Sequence, residues 1–388
     1  MKICFVSNYF WPVTGGIEIH MEKLGVELIK RGHEVIVCTS NEMPNGKKLP
    51  SVGEHNKIKI FRYPFKFWFG YYCSLFTPCI RDVDIIHVHG FGMLTNDWVI
   101  WRYGKKIPCV MTTHHGIYIP TDKYFNRVYH WVYRNTLGKH SLMLASLIGT
   151  DQALDRKRVI ALGVSEKKVC VMPEVAVEDS VFNTDFSKYM PDIPFKRYIL
   201  YVGRLHREKS PSHILYALKK LENEKVCCVF AGPDAGEEKN LKKIAEELGL
   251  RERVMFLGKV PEYEKLALIQ NAEFLVLPSF YEGFGAVILE SWALGKTVLA
   301  TKSGGIPYVV EDNVDGLLYT WGNIEEMTEK MKQLYLDKEL CVRLGRNGKK
   351  NAYNNFRRTI VVDRIERAYM KVISQHQKRL KFHLGDRE

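Results

Sequence analysis

Short apolar runs alternate with longer stretches of helical spacing from the first residues onward. Ile3–Val6 is an apolar run that ends in Ser7-Asn8, the pattern of a buried strand. Trp11-Pro12-Val13-Thr14-Gly15-Gly16 then reads as a loop. Ile17, Met21, Leu24 and Leu28 recur at a helical period, and Arg31-Gly32 supplies a basic last turn with a glycine stop. Val35–Cys38 is a second strand, which makes a βαβ unit and implies a parallel sheet. Ile85–Val88 and Cys109–Thr112 continue the series. The pattern restarts after Tyr189-Met190-Pro191-Asp192-Ile193-Pro194, where two prolines precede the strand Tyr198–Val202. Strands at Val226–Ala231, Val254–Leu257, Phe274–Pro278 and Thr297–Ala300 follow. Helices at Pro211–Glu222, Leu241–Leu248, Glu262–Gln270 and Ala286–Leu294 alternate with them, and Gly345–Ser374 reads as largely helical. The pattern predicts two consecutive α/β domains, residues 1–190 and 191–355, with residues 356–388 forming a last helix and a basic tail.

Composition narrows the choice. The 388 residues are 46% hydrophobic and 26% charged, which excludes a disordered, collagen-like or coiled-coil chain. The formal net charge of +13 suits an acidic partner: nucleic acid, anionic lipid or a phosphorylated small molecule. Both halves are basic and neither carries a recognisable nucleic-acid motif, so no nucleic-acid partner is expected. Nine cysteines without a C-x-x-C spacing read as reduced thiols, neither a disulfide scaffold nor a zinc site. The first residues do not resemble a signal peptide, and no run of about 18 apolar residues occurs. The expectation is a cytoplasmic protein without a spanning helix.

Residues 55–81 break the alternation. They hold Lys57, Lys59, Arg62, Lys66 and Arg81 with no acid, among nine aromatic residues that include Phe67, Trp68 and Tyr71. Such a segment reads either as an interfacial surface for an anionic membrane or as an aromatic core segment.

Ligands of open parallel sheets bind outside the carboxyl ends of the strands, where helix N-termini favour anions. Three places carry suitable residues. Gly15 and Gly16 follow the first strand and let backbone approach a phosphate, or they make a tight turn. The loop Ser279-Phe280-Tyr281-Glu282-Gly283-Phe284-Gly285 opens a helix that bears Glu290. Eight residues of helix rise about 12 Å, so Glu282 and Glu290 suit a ligand with two hydroxylated ends and anionic groups between them, or are two solvated surface acids. Arg204 and Lys209 follow the strand Tyr198–Val202 and can neutralise a diphosphate, or are surface charges. His87 and His89 at another strand end receive no role.

Gly15-Gly16, His115, Gly203-Arg204-Leu205 with Lys209, Glu282 with Glu290, and Ser303-Gly304-Gly305-Ile306-Pro307 together resemble glycosyltransferase family 4, over about residues 1–375. The resemblance implies a GT-B fold: two Rossmann-like parallel-sheet domains facing across a cleft, with a last helix crossing back to the first domain. It implies a nucleotide-diphosphate sugar donor, a UDP- or GDP-sugar, and transfer to a hydroxyl with retention of anomeric configuration. No cofactor and no obligatory metal are implied. Carried over by position, His115, Glu282, Arg204 and Lys209 are the catalytic candidates. Gly15, Gly16, Arg204, Lys209, Glu282, Phe284, Gly285 and Glu290 are the donor-binding candidates. A lipid-linked or inositol/glycan acceptor, met by an enzyme peripheral on the cytoplasmic membrane face, is the further expectation. A same-fold synthase or phosphorylase acting on a soluble sugar is the alternative.

The chain departs from the family pattern at three places. Glu174 stands where a neutral amide is usual. Ser210 stands where glycine is usual, and is expected to act as a helix cap. Asp234-Ala235-Gly236 alters a family turn.

Overall fold

The structure is a computed structural model that describes residues 1–69, 73–114, 117, 124–173, 175–221 and 225–385. It divides into two units, Met1–Glu174 with Val361–Glu388, and Val175–Ile360.

In the first unit the strands are β1 (Lys2–Val6), β2 (Glu34–Ser40), β3 (Val52–His55), β4 (Ile58–Tyr63), β5 (Phe67–Phe69), β6 (Cys73–Leu75), β7 (Ile85–His89), β8 (Cys109–Thr112), β9 (Leu147–Thr150) and β10 (Val169–Val171). Eight of them form one sheet in the order β10-β9-β8-β7-β1-β2-β4-β3, parallel except for the β3–β4 hairpin. β5 and β6 pair separately. Ile3, Cys4, Phe5 and Val6 are all fully buried, as are all five residues of β7 to within a percent. A strand covered on both faces has no polar side to alternate with, which is why these runs read as continuously apolar.

The second unit holds β11 (Ile199–Val202), β12 (Cys228–Ala231), β13 (Val254–Gly258), β14 (Leu275–Leu277), β15 (Val298–Thr301) and β16 (Leu317–Tyr319). They form an all-parallel sheet in the order β13-β12-β11-β14-β15-β16. Alternate residues feed two cores on its opposite faces. Leu200, Val229, Leu275 and Val298 join Trp292 on one side. Ile199, Cys228, Phe274 and Leu299 join Met327 and Leu344 on the other.

The division between units falls at residues 174/175 rather than at 190. Val177, Val181, Phe182 and Phe186 are buried in the second unit's core. The Val177 N–H donates to Phe356 O at 2.9 Å and the Arg358 N–H donates to Val177 O at 2.8 Å. The same bridge takes Phe356 and Arg357 out of helical geometry, so the helical stretch expected over 345–374 is two helices, Lys338–Asn355 and Arg358–Gly385.

Most of the 55–81 segment is structural. Ile58, Ile60 and Phe76 are buried, Phe65 and Tyr63 pack against Phe76, and the buried Arg62 guanidinium donates to Trp11 O at 2.9 Å. Phe67 and Trp68 remain exposed, and Tyr71 lies outside the described residues. Among the described residues no helix is long and apolar enough to cross a membrane.

The last helix completes the first unit. Val361, Val362, Ile365, Tyr369 and Val372 recur at helical spacing and are buried. The Tyr369 hydroxyl lies 2.5 Å from His87 Nδ1, and His87 Nε2 lies 2.6 Å from Thr112 Oγ1. Arg31 pairs with Asp363 and, at 2.9 Å, with Glu366, whose second oxygen meets His33 Nε2 at 2.7 Å. Burial pushes the Glu366 carboxyl up, but Arg31 and His33 outweigh it and hold the group below the usual glutamate range.

Two outcomes follow for stability. Tyr369→Phe keeps the ring but strips His87 of a buried partner, which is expected to cost about 1–3 kcal/mol and to lower Tm in a thermal melt. Glu366→Gln is expected to lower Tm at neutral pH. A carboxyl held below its unfolded value stabilises above that value, about pH 4.3 for glutamate, and loses the effect as pH falls through the native one. The Tm gap between wild type and variant therefore closes in acid.

Candidate functional site

β11 and β14 are neighbours, but the chain leaves them in opposite directions, toward β12 on one side and β15 on the other. This is the topological switch point of the second sheet, where the loops diverge and leave a crevice. The loop after β11 carries Gly203 to Ser210, and the loop after β14 carries Pro278 to Gly285. A third, after β15, carries Ser303 to Gly305.

Backbone hydrogen bonds lace the three loops together. The Phe280 N–H donates to Glu208 O at 2.9 Å, and the Gly305 N–H donates to Glu282 O at 2.8 Å. The Ser303 hydroxyl donates to Phe280 O, and Thr301 Oγ1 donates to Ser279 O at 2.8 Å. Gly304 sits at φ +58°, and a Cβ there would fall 2.2 Å from Glu282 O. A side chain at 304 would thus displace the backbone that carries Glu282.

A cavity of about 260 Å³ opens at this point, lined among others by Lys209, Lys265, Glu282, Gly285, Ala286 and Glu290. Lys209 Nζ donates to Glu282 Oε2 at 2.6 Å, and Ser279 Oγ donates to the same oxygen at 3.3 Å. Lys265 Nζ lies 2.9 Å from Glu290 and 3.0 Å from Glu262 Oε1. Burial pulls the Lys265 ammonium down, yet its two carboxylate neighbours win and raise it above the usual lysine value. The cavity therefore holds two acids, each with its own lysine. The helix Ala286–Ala293 starts from Gly285, which takes the left-handed conformation (φ +76°), and no side chain caps it. Ala286 and Val287 line the cavity, so free N–H groups and the positive end of the helix dipole lie against it.

Sequence expectation and geometry agree on part of this set. Lys209, Glu282, Gly285 and Glu290 converge on one cavity. Only Glu290 of the two acids lies on the helix, so their separation is not a helical rise. Phe284 has a buried side chain packed edge-on against Phe356 at 5.5 Å, which leaves its backbone for any contact with a ligand. Arg204 is exposed and lies outside the lining, but its charge reaches the Tyr201 phenol. Burial and then the Glu282 charge push that phenol up, with Arg204 opposing. Tyr201 in turn donates its hydroxyl to Arg204 O at 2.8 Å. Lys265 went unnoticed in the sequence. Its helix was legible, but no periodicity tells which acid its ammonium meets.

Ser210 corrects an expectation. The helix it precedes runs from Ser212, and the Ser210 side chain does not cap it. Ser210 takes a left-handed backbone (φ 49°, ψ 41°), the conformation that explains why glycine suits the position. Its hydroxyl accepts from Trp321 Nε1 at 3.1 Å. Asp234 acts locally. Its Oδ1 accepts from the N–H groups of Gly236, Glu237 and Glu238 at 2.9–3.0 Å, which starts the helix Glu238–Glu247.

In the first unit Gly15 and Gly16 follow the carboxyl end of β1, which with its neighbour β7 forms that sheet's own switch point. A Cβ on Gly15 would fall 2.4 Å from Glu18 Oε2, whereas nothing lies within 4 Å of one on Gly16. His87 and His89 are fully buried on β7, and His89 Nδ1 lies 3.0 Å from His114 Nε2. Burial first and neighbouring imidazoles second hold His87 and His89 well below the usual histidine value, so both are neutral at pH 7. His115 and Glu174 lie outside the described residues.

Comparison with known proteins agrees with this arrangement. Residues 14–174 match the model described as Glycosyltransferase Family 4, and residues 189–351 match Glycosyl transferases group 1. An uncharacterized glycosyltransferase of Methanocaldococcus jannaschii is 26% identical over 92% of this chain and 94% of its own. The gpi3 subunit of phosphatidylinositol N-acetylglucosaminyltransferase from Schizosaccharomyces pombe is 24% identical over 97% of this chain and 82% of its own. Among solved structures, Anabaena HepE in complex with UDP superposes with a TM-score of 0.72 at 18% identity, covering 96% of this chain and 100% of that one. Two matched models, full-length relatives and the superposed fold make the chain a glycosyltransferase that belongs to family 4 and has the GT-B fold.

Proposed function

We propose that the chain moves a hexose or N-acetylhexosamine from a nucleotide-diphosphate sugar, a UDP- or GDP-sugar, to a hydroxyl acceptor, with retention of configuration and without an obligatory metal. The acceptor is lipid-linked or an inositol or glycan, met at a membrane surface. One observation carries the reading: two lysine–glutamate pairs and an uncapped helix N-terminus line a single cavity at the switch point. The UDP held by the HepE neighbour and the N-acetylglucosaminyl and phosphatidylinositol groups named in the fission-yeast relative support the donor and acceptor classes.

The assignments follow from charge. Leaving of the nucleotide diphosphate builds negative charge on phosphate oxygens and positive charge on the sugar ring. Lys209, Arg204 and the N–H groups at Gly285–Ala286 stabilise the first as it grows. Lys209, already at the cavity, needs no reorganisation at that moment, and with Arg204 it neutralises a diphosphate without a metal ion. Glu282 shares Lys209 and accepts hydrogen bonds from donor-sugar hydroxyls. Glu290, paired with Lys265 at 2.9 Å, accepts from the ribose hydroxyl pair. Retention on the front face needs no enzymic nucleophile, and the leaving phosphate oxygen takes the acceptor proton.

A thermal-shift screen of nucleotide sugars is expected to raise Tm with the true donor and its nucleoside diphosphate; no response to any nucleoside diphosphate would overturn the reading. Lys209→Ala is expected to lower kcat/KM about 100–1000-fold, or roughly 3–4 kcal/mol. Because that change also strands Glu282, the double variant Lys209→Met/Glu282→Gln serves as control: Tm recovers while turnover does not.

A further inference from the structure

A second cavity, of about 470 Å³, lies in the first unit between the β9–β10 edge of the sheet and the last helix. Lys167, Lys168, Lys371, His376 and Arg379 line it, and its described lining contains no aspartate or glutamate. Acids close by in sequence are committed elsewhere: Glu166 to Arg156 at 2.6 Å, Glu366 to Arg31 and His33. Lys168 is the fixed member. Its Nζ donates to Met143 O at 2.9 Å and to Ala145 O at 3.1 Å, so it is held in place by carbonyls, with no carboxylate partner among the described residues. Burial and then the Arg379 charge pull its ammonium down, the sign of cations crowding one another.

Four permanent cations round one cavity repel, and the repulsion is relieved by an anion that they can share. The volume falls within the range of small-molecule pockets. A lysine supplies a point charge and an arginine a planar fork, the pair of chemistries that recognises phosphate.

We propose that this cavity is a binding site for a phosphate-bearing anion, separate from the donor cavity of the second unit. The phosphate belongs either to a soluble compound or to the headgroup of an anionic lipid. Met143 and Leu144 are exposed beside Lys168, at 42% and 39%, and Leu144 lines the cavity, so an apolar tail has a surface to lie against.

The test uses the full chain and the triple variant Lys167→Gln/Lys371→Gln/Arg379→Gln, which changes exposed side chains and leaves Lys168 with its carbonyls. Inorganic phosphate is expected to raise the Tm of wild type more than chloride of equal ionic strength does. The triple variant is expected to lose that response, while Lys209→Ala, in the other unit, keeps it. With the repulsion removed, the triple variant melts no lower than wild type in chloride, which separates the loss from misfolding. Flotation with phosphatidylcholine vesicles with and without phosphatidylinositol assigns the source. A loss of vesicle binding of about fivefold per neutralised cation indicates the lipid headgroup; a phosphate response without flotation indicates a soluble ligand. A wild type that answers neither probe, or a triple variant that answers both as wild type does, overturns the proposal.

Discussion

An ionised carboxylate withdrawn from water must find a partner or take up a proton, and the cavity at the switch point of the second sheet meets that constraint twice. Glu282 is matched by Lys209 and Glu290 by Lys265, with distances of 2.6 and 2.9 Å. Each pair sets a carboxylate, able to accept hydrogen bonds from hydroxyl groups, beside an ammonium able to attract phosphate. Partly buried charges are costly when alone, and each of these has its opposite within hydrogen-bonding distance. The site is thus a set of opposed charges at short range, not a basic patch, and the net charge of the chain says little about it.

What holds the pairs in place is the sheet. Every strand of the second unit points the same way, so loops that bear chemistry all emerge at one edge, and the reversal between β11 and β14 parts two of them. The third loop, after β15, braces the second through Gly304 and Gly305 against the Glu282 backbone. Trp321 reaches Ser210 on the first. Positions as far apart in sequence as 208, 282 and 305 therefore move as one piece. This explains why a glycine pair distant from both acids belongs to the same constellation as they do.

Much of this was written in the chain. Fully apolar runs announced buried parallel strands, and the restart near residue 198 announced a second sheet. Lys209, Glu282, Gly285 and Glu290 were found by residue type and spacing, and they do converge. Other features were not legible, for physical reasons. Lys265 meets Glu290 through packing of two helices, which leaves no trace in local periodicity. Ser210 looked like a cap because serine often is one, while its backbone is set by the turn that follows Lys209. The restart of the pattern after the prolines places the second domain's start at residue 191, but Val177, Val181, Phe182 and Phe186 ahead of them pack into its core through contacts that local pattern does not carry. Aromatic density at residues 55–81 left an interfacial surface and a core segment both open. Phe76 is buried in the core of the first unit and Phe65 packs edge-on against it, an arrangement of rings that composition does not reveal.

The first unit is discontinuous in sequence, closed by a helix that begins some 185 residues after its last strand. During ribosomal synthesis Tyr369 emerges only after all of β11 to β16. His87 therefore waits for its hydroxyl partner, and Arg31 for its carboxylates, until the second unit has had time to form. The half made first is the half finished last, and for that interval its exposed helix-docking groove is a natural surface for chaperones to guard.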